Sequence, residues 1–447
     1  MNETVDMAKW VYDLKYGEIP DQALESAKMH LLDFIGGIIY CSTNEHYNKD
    51  YFSKVLDDFT GQDSTVIFQK RKTNQSAAAM LNSLLGHGFE LDDYHAGSFF
   101  HASAVIVPIL FAVSEKYDLN PKDVLLGMVA GTETGIRIGL SLTVKHNLRG
   151  FHPTGTIGPF AGVVALSKAK RLPLGTLINA LGIAGSMSSA IKEFYREGNS
   201  EKRFHPSRAG SGAMTAIAMA ESGVTGPSTV LEGNFGFLHA FTDNGEPDKI
   251  NEGLGKHWFI SDLSIKPYAC CGGLHSAIYG LLEYIDEHSK RADKIKSITI
   301  ETCRKVALQN GKFSNDSVMG AQYSLPFTTA LTILKDITNP SVFNEKVLND
   351  ENICALAKKV IVKEAPDIKS MNHTRIKVIF NDNSSIQTEV TKPKGYLGNM
   401  MTLDDVKEKF KNLTDGVFSE NERELIIKDI LNFESLNSIK DFMKKLY

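Results

Sequence analysis

Three stretches of the chain gather side chains that can move protons or hold anions. The first runs Gly86-His87-Gly88-Phe89-Glu90-Leu91-Asp92-Asp93-Tyr94-His95 and on to His101, three carboxylates and three imidazoles in close succession. Such density suits a polar pocket wall carrying acids and bases. Metal binding is the rival reading, but the His-Glu-x-x-His spacing is missing, no metal is expected, and Asp92 with Asp93 can equally cap the next helix. The second, Lys202-Arg203-Phe204-His205-Pro206-Ser207-Arg208, brings cations and an imidazole together. Arg grips a carboxylate through two bonds, whereas a Lys that is desolvated or crowded by Arg203 can lose its proton and act as a base. A solvated basic turn is the plainer reading of the same residues. The third, Lys266-Pro267-Tyr268-Ala269-Cys270-Cys271-Gly272-Gly273-Leu274-His275, places Cys271 at the first turn of a helix. A thiolate is stabilised there, so Cys271 is expected to exchange protons near neutral pH. Cys270 reads as a small buried hydrophobe, and adjacent cysteines lack the spacing of a zinc pair.

Three helix starts are legible, two of them within the second and third stretches. Phe151-His152-Pro153-Thr154, Phe204-His205-Pro206-Ser207 and the Cys271-Gly272-Gly273 turn each precede a run of small apolar residues. Free N–H groups and the macrodipole favour an anion at such ends, and ordinary capped core helices explain any one of them alone. Apolar spacing predicts a helix over Ala23 to Tyr40, then helices over 74–88, 103–117, 121–145, 154–169, 173–193 and 207–222. Gly131, Gly135 and Gly139 share one helix face and lack both the preceding strand and the spacing of a dinucleotide loop, so they read as a tight helix crossing.

After residue 265 alternation takes over. Strands are expected at 296–303 and 360–362, a hairpin at Thr374–Phe380 and Ile386–Val390, and helices at 273–289, 324–335 and 342–358. The tail from Thr402 is helical again. The expected fold is mainly α, with a large all-helical domain (1–265 and 402–447) and a smaller α+β lid domain (266–401).

Composition narrows the classes. With 447 residues, two domains are expected; 42% hydrophobic and 23% charged residues suit a soluble globular protein. A net charge of -4 argues against nucleic acid and anionic membranes as partners. Five irregularly spaced cysteines fit a reducing compartment, and neither a signal peptide nor a spanning run is visible, so a cytoplasmic location is expected.

The order of these motifs resembles the MmgE/PrpD family, which includes 2-methylcitrate dehydratases, cis-aconitate decarboxylases and iminodisuccinate epimerases. The resemblance spans Gly88–His101, Gly150–Gly158, Lys202–Gly212, Lys266–His275 and Ala321-Gln322-Tyr323-Ser324-Leu325-Pro326-Phe327. It implies a helical domain plus lid, a homodimer, and a site between domains that uses no metal or organic cofactor. It also implies that Glu90 is the pocket acid, His101 and His152 the pocket histidines, Lys202 the pocket lysine, Lys266 the lysine opening the lid, and His275 a further pocket histidine. Two departures stand out: the decarboxylase branch is expected to have His where Cys271 stands and Tyr where Phe327 stands.

A Lys and a Cys suit opposite faces of a carbon acid, and the epimerase branch resembles this pairing. The expectation is therefore α-proton abstraction from a small di- or tricarboxylate by Lys202 and Cys271, with His101, His152 and Glu90 completing the catalytic set. Asp93, Tyr94, Thr154, Arg203, His205, Arg208, Lys266 and His275 are assigned to the anionic substrate. A dehydratase-like or decarboxylase-like lyase, with Glu90, Tyr94 or a His as proton donor, is the alternative; a non-catalytic small-acid sensor or dimeric scaffold is the third.

Overall fold

The computed structural model describes residues 2–44, 57–194 and 199–447, with backbone alone for 284–291. Helix dominates. α1 (Glu3–Asp13) and α2 (Asp21–Thr43) lead, followed by a short antiparallel hairpin of β1 (Ser64–Val66) and β2 (Arg71–Thr73) that the sequence reading does not anticipate. Its strands are three residues each, too short to show an alternation. Then come α3 (Gln75–Gly86), α4 (Ala102–Tyr117), α5 (Pro121–Ser141), α6 (Pro153–Ala169), α7 (Leu174–Ala184) and α8 (Phe204–Glu221). Asn74 caps α3 by accepting from the Ala77 amide, and Asn120 caps α5 ahead of Pro121. α4 is buried from Ala102 to Glu115, so it forms the centre of the body.

α5 and α6 cross closely on glycine. A Cβ at Gly131 would stand 2.8 Å from the Ala161 carbonyl oxygen, and one at Gly135 2.9 Å from Ala161 Cβ. The glycine spacing is therefore a packing device. α7 stops earlier than expected, giving way at Gly185 to a 3₁₀ turn and then extended chain. Beyond that turn the Ser188 hydroxyl donates to the Thr156 carbonyl of α6 at 2.8 Å.

The second unit contains α9 (His275–His288), β3 (Ile295–Thr302), α10 (Arg304–Asn310), α11 (Val318–Tyr323), α12 (Leu325–Leu334), α13 (Glu351–Ala357), β4 (Val360–Glu364), β5 (Thr374–Phe380) and β6 (Ser385–Val390). Its sheet runs β4-β3-β5-β6, parallel between β3 and β4 and antiparallel elsewhere. α9 covers β5 and β6, and α12 covers β4. The helix expected over 342–358 is divided, because Asp350 turns its carboxylate onto the Asn352 and Ile353 amides and starts α13 afresh.

The tail forms α14 (Leu403–Leu413), α15 (Glu420–Leu431) and α16 (Ile439–Lys444). α14 packs on α2, and α16 on α4. The fold is thus mainly α, with a smaller α+β region. Among the described residues no helix is long and apolar enough to cross a membrane.

Candidate active site

A cavity of about 60 Å³ lies where the loop between α3 and α4, the start of α6 and the turn before α8 meet the lid segment 266–273 and α10. Glu90 is its hub. The loop holds this residue in the left-handed region (φ 58), an uncommon conformation for a side chain of its size. Lys202 Nζ donates to Glu90 Oε1, Lys266 Nζ donates to Oε2 at 3.1 Å, and the Tyr323 hydroxyl donates to Oε1 at 2.9 Å. Lys202 comes from the helical body, Lys266 and Tyr323 from the lid. Burial would push the Glu90 carboxyl up, but the charges of Lys202 and Lys266 outweigh it and hold the group well below the usual carboxylate range. Glu90 is therefore an anion and a poor proton donor, which corrects the expectation that it could serve as the acid of an elimination.

Asp92 organises the imidazoles. Its Oδ2 lies 2.6 Å from His87 Nδ1 and 2.9 Å from His101 Nδ1, so one carboxylate orients two rings. Burial pulls His87 down to about 3 despite Asp92. His152 stands at the N-cap position of α6, and its Nδ1 lies 3.0 Å from His205 Nδ1, so the proton between the two rings sits on one of them. Burial first, then the neighbouring His205 and Lys202, hold His152 well below its ordinary value; it stands neutral. One ring nitrogen from each of His87, His101 and His152 lies within 4.8 Å of the other two, a spacing that can hold a metal ion. The charge of Lys202 bearing on His87 and His152 opposes a cation there.

Cys271 differs from expectation. It precedes a three-residue 3₁₀ turn, Gly272–Leu274, rather than the first turn of an α-helix. Burial, then the charge of Glu90, push its thiol up, outweighing the Gly273 amide, Lys266 and Lys202. The thiol keeps its proton at neutral pH and is a donor. Tyr94, likewise pushed up by burial to about 12, stays a phenol.

Glu90, Tyr94, His101, His152, Lys202, Lys266 and Cys271 all line the cavity. The structure does not bring Asp93, Thr154, Arg203, His205, Arg208 or His275 to that wall. Asp93 accepts from the Ser103 amide and hydroxyl at the start of α4 and pairs with His30, so its role is the capping one. Thr154 accepts from the His101 amide, and His205 stands behind His152 and pairs with Glu201. Arg203 precedes α8, and Arg208 is turned onto the Met187 carbonyl. His275 is buried with Nε2 3.3 Å from the Cys270 carbonyl. His95, in the same stretch, bonds Ser98.

Sequence reasoning missed Asp92 and His87 as the acid and ring behind His101, although both stand in the densest stretch. It also missed Tyr323, Asn310 and Lys305, which line the cavity from the lid. Phe327 lies fully buried in α12, whereas Tyr323, four residues earlier, delivers a phenol to Glu90. A larger cleft, about 620 Å³ around Leu14, Lys168 and Arg171, gathers no such acid–base set; Arg171 there pairs with Asp123.

The chain combines a helical body, a smaller α+β region and a polar cavity walled by lysines and imidazoles. The MmgE/PrpD N-terminal domain matches residues 5–250 and the MmgE/PrpD C-terminal domain residues 268–432, and the chain belongs to the MmgE/PrpD family. It is similar to the cis-aconitate decarboxylase-like protein oryM of Aspergillus oryzae, 27% identical over 99% of this chain and 96% of the relative. The cis-aconitate decarboxylase of Aspergillus terreus is 28% identical over 99% and 95%, and that of Homo sapiens 25% over 97% and 92%.

Proposed function

We propose that the protein is a lyase that decarboxylates a small unsaturated polycarboxylate of the cis-aconitate type, using side chains alone. The observation that carries this reading is the charge of the cavity wall, which presents Lys202, Lys266 and Lys305 against the single carboxylate of Glu90. Such a wall favours a polyanion. The named activity of the relatives supports the same class.

Losing CO2 from a carboxylate one carbon away from a C=C bond needs no base. The pair from the broken C–C bond becomes a new double bond, and the old double bond's pair takes a proton at its far carbon. Negative charge passes through that far carbon and spreads into the carboxylate it bears. Lys202 and Lys266, already fixed by Glu90, are placed to stabilise such charge without reorganising. The protonated Cys271 thiol supplies the proton and recovers it from solvent.

A two-base epimerisation of the iminodisuccinate type is the second reading. It is supported by Lys202 and Cys271 reaching one cavity from different domains. It requires one of them as a free base, yet Cys271 is pushed up and Lys202 is tied into the Glu90 hub. Incubation with cis-aconitate and with candidate amino- and hydroxy-acids in heavy water, followed by NMR, separates the readings. Decarboxylation with one solvent deuteron in the product is expected. Exchange with inversion and no CO2 overturns it in favour of epimerisation, loss of water from a hydroxy-acid in favour of a dehydratase, and no change in any acid removes catalysis.

A further inference from the structure

Three cations line the cavity, but they are not equivalent. Lys202 and Lys266 share the carboxylate of Glu90, and Lys266 also lies 3.8 Å from Asp92. Lys305 has no carboxylate within salt-bridge distance among the described residues. It projects from the first turn of α10 on the lid and sits over the Phe99 ring of the helical body, Nζ 3.7 Å from the ring centre. Phe99 is itself held in the left-handed region (φ 54) and lines the cavity. The thiols of Cys271 and Cys303 bear on Lys305, and that of Cys271 is pushed up by burial and by Glu90.

A second observation comes from the opposite wall. Lys192, from the extended chain after α7, donates to Asn147 Oδ1 at 2.9 Å, and Asn147 lines the same cavity. Lys192 and Lys305 are close enough to repel: burial and the charge of Lys305 pull Lys192 down to about 8, and burial pulls Lys305 down to about 8. A buried amine with no carboxylate in salt-bridge reach, as Lys305 is among the described residues, is costly to the folded protein, and a bound anion relieves that cost.

We propose that Lys305 is the grip for a substrate carboxylate beyond those that Lys202 and Lys266 engage, so that this lid residue selects tricarboxylates over dicarboxylates. The inference rests on the polycarboxylate reading of the site. The aromatic ring beneath the amine keeps its head aimed into the cavity when no substrate is present. Because the residue belongs to the lid while its ring platform belongs to the body, the contact forms only when the two units are together. Recognition of the additional carboxylate is thereby coupled to closure.

Calorimetric titration of wild type, Lys305→Met and Lys305→Arg, each carrying Cys271→Ala so that cis-aconitate is not turned over, with cis-aconitate and with two dicarboxylates, citraconate and itaconate, tests the assignment. Lys305→Met is expected to weaken cis-aconitate at least tenfold while changing at least one dicarboxylate less than threefold, and Lys305→Arg is expected to recover most of the loss. The melting temperature of Lys305→Met is expected to equal or exceed that of wild type, since an unpaired cation is removed. Equal weakening of all three ligands, unchanged cis-aconitate affinity, or a melting temperature lowered by several degrees overturns the assignment of Lys305 alone. Failure of wild type to bind any of the three overturns the polycarboxylate reading, and the Lys305 grip with it.

Discussion

Replacing Glu90 with Gln removes the anion on which two buried lysines converge. The carboxylate is 3% exposed, and Lys202 and Lys266 are each 2% exposed, so water compensates none of the three. Lys266 keeps Asp92 at 3.8 Å, whereas no other carboxylate lies within salt-bridge distance of Lys202 among the described residues. One uncompensated buried cation costs about 3–5 kcal/mol. At about 1–2 °C per kcal/mol for a unit of more than about 300 residues, Glu90→Gln should melt about 3–10 °C below wild type in differential scanning calorimetry. A polycarboxylate offers the missing charge, so ligand should raise the melting temperature of the variant more than that of wild type. At a concentration about 100 times Kd, binding alone adds about 2.7 kcal/mol, enough to resolve the difference. A variant that melts within about 1 °C of wild type would refute the claim that this carboxylate holds the two lysines.

Cys271→Ala should lower the turnover of a decarboxylated substrate by about 10²–10⁴ with little change in KM, the size expected for a lost proton donor; steady-state kinetics showing kcat within threefold would remove the thiol from the reaction. Acid should destabilise the fold from about pH 6.5 downward, because burial pulls His87 and His275 down to about 3 and His95 and His146 down to about 4. The unfolded chain binds those protons near 6.5 and the folded chain does not, so stability is complete above about pH 6.5 and falls by about 1.4 kcal/mol per unit per histidine toward pH 4. Urea midpoints measured across that interval check the slope, and a flat profile contradicts it. Gly131→Ala should cost about 1–3 kcal/mol through the 2.8 Å approach to the Ala161 carbonyl, read as a lower urea midpoint at unchanged slope.

Local patterns in the sequence predict much of this architecture. The glycine spacing of α5, the alternation in β3 and the hairpin of β5 and β6 are carried by residues within a few positions of one another. Glu90, His101, His152, Lys202, Lys266 and Cys271 were each visible because Gly, Pro or clustered charge punctuates the chain beside them. Asp92 against Asp93 was not separable, since adjacent carboxylates differ only in which way the loop turns them: one faces two imidazoles, the other the start of α4. Tyr323 and Lys305 lie in ordinary helical sequence and become site residues only because the lid brings them to the body. The state of Cys271 was misjudged for a related reason: a helix start is legible in sequence, but the depth of burial and the charge of Glu90, 181 positions away, are not.

The cavity of about 60 Å³ has room for about two water molecules, far below the roughly 300 Å³ at the small end of ligand pockets. A six-carbon acid needs more room than that, and parting of segment 266–323 from the helical body would draw Lys266 and Tyr323 off Glu90 while Lys202 stayed behind. Binding and release would then unclasp and refasten a buried ionic knot. Entry and release through that clasp are then steps that a more viscous medium should slow.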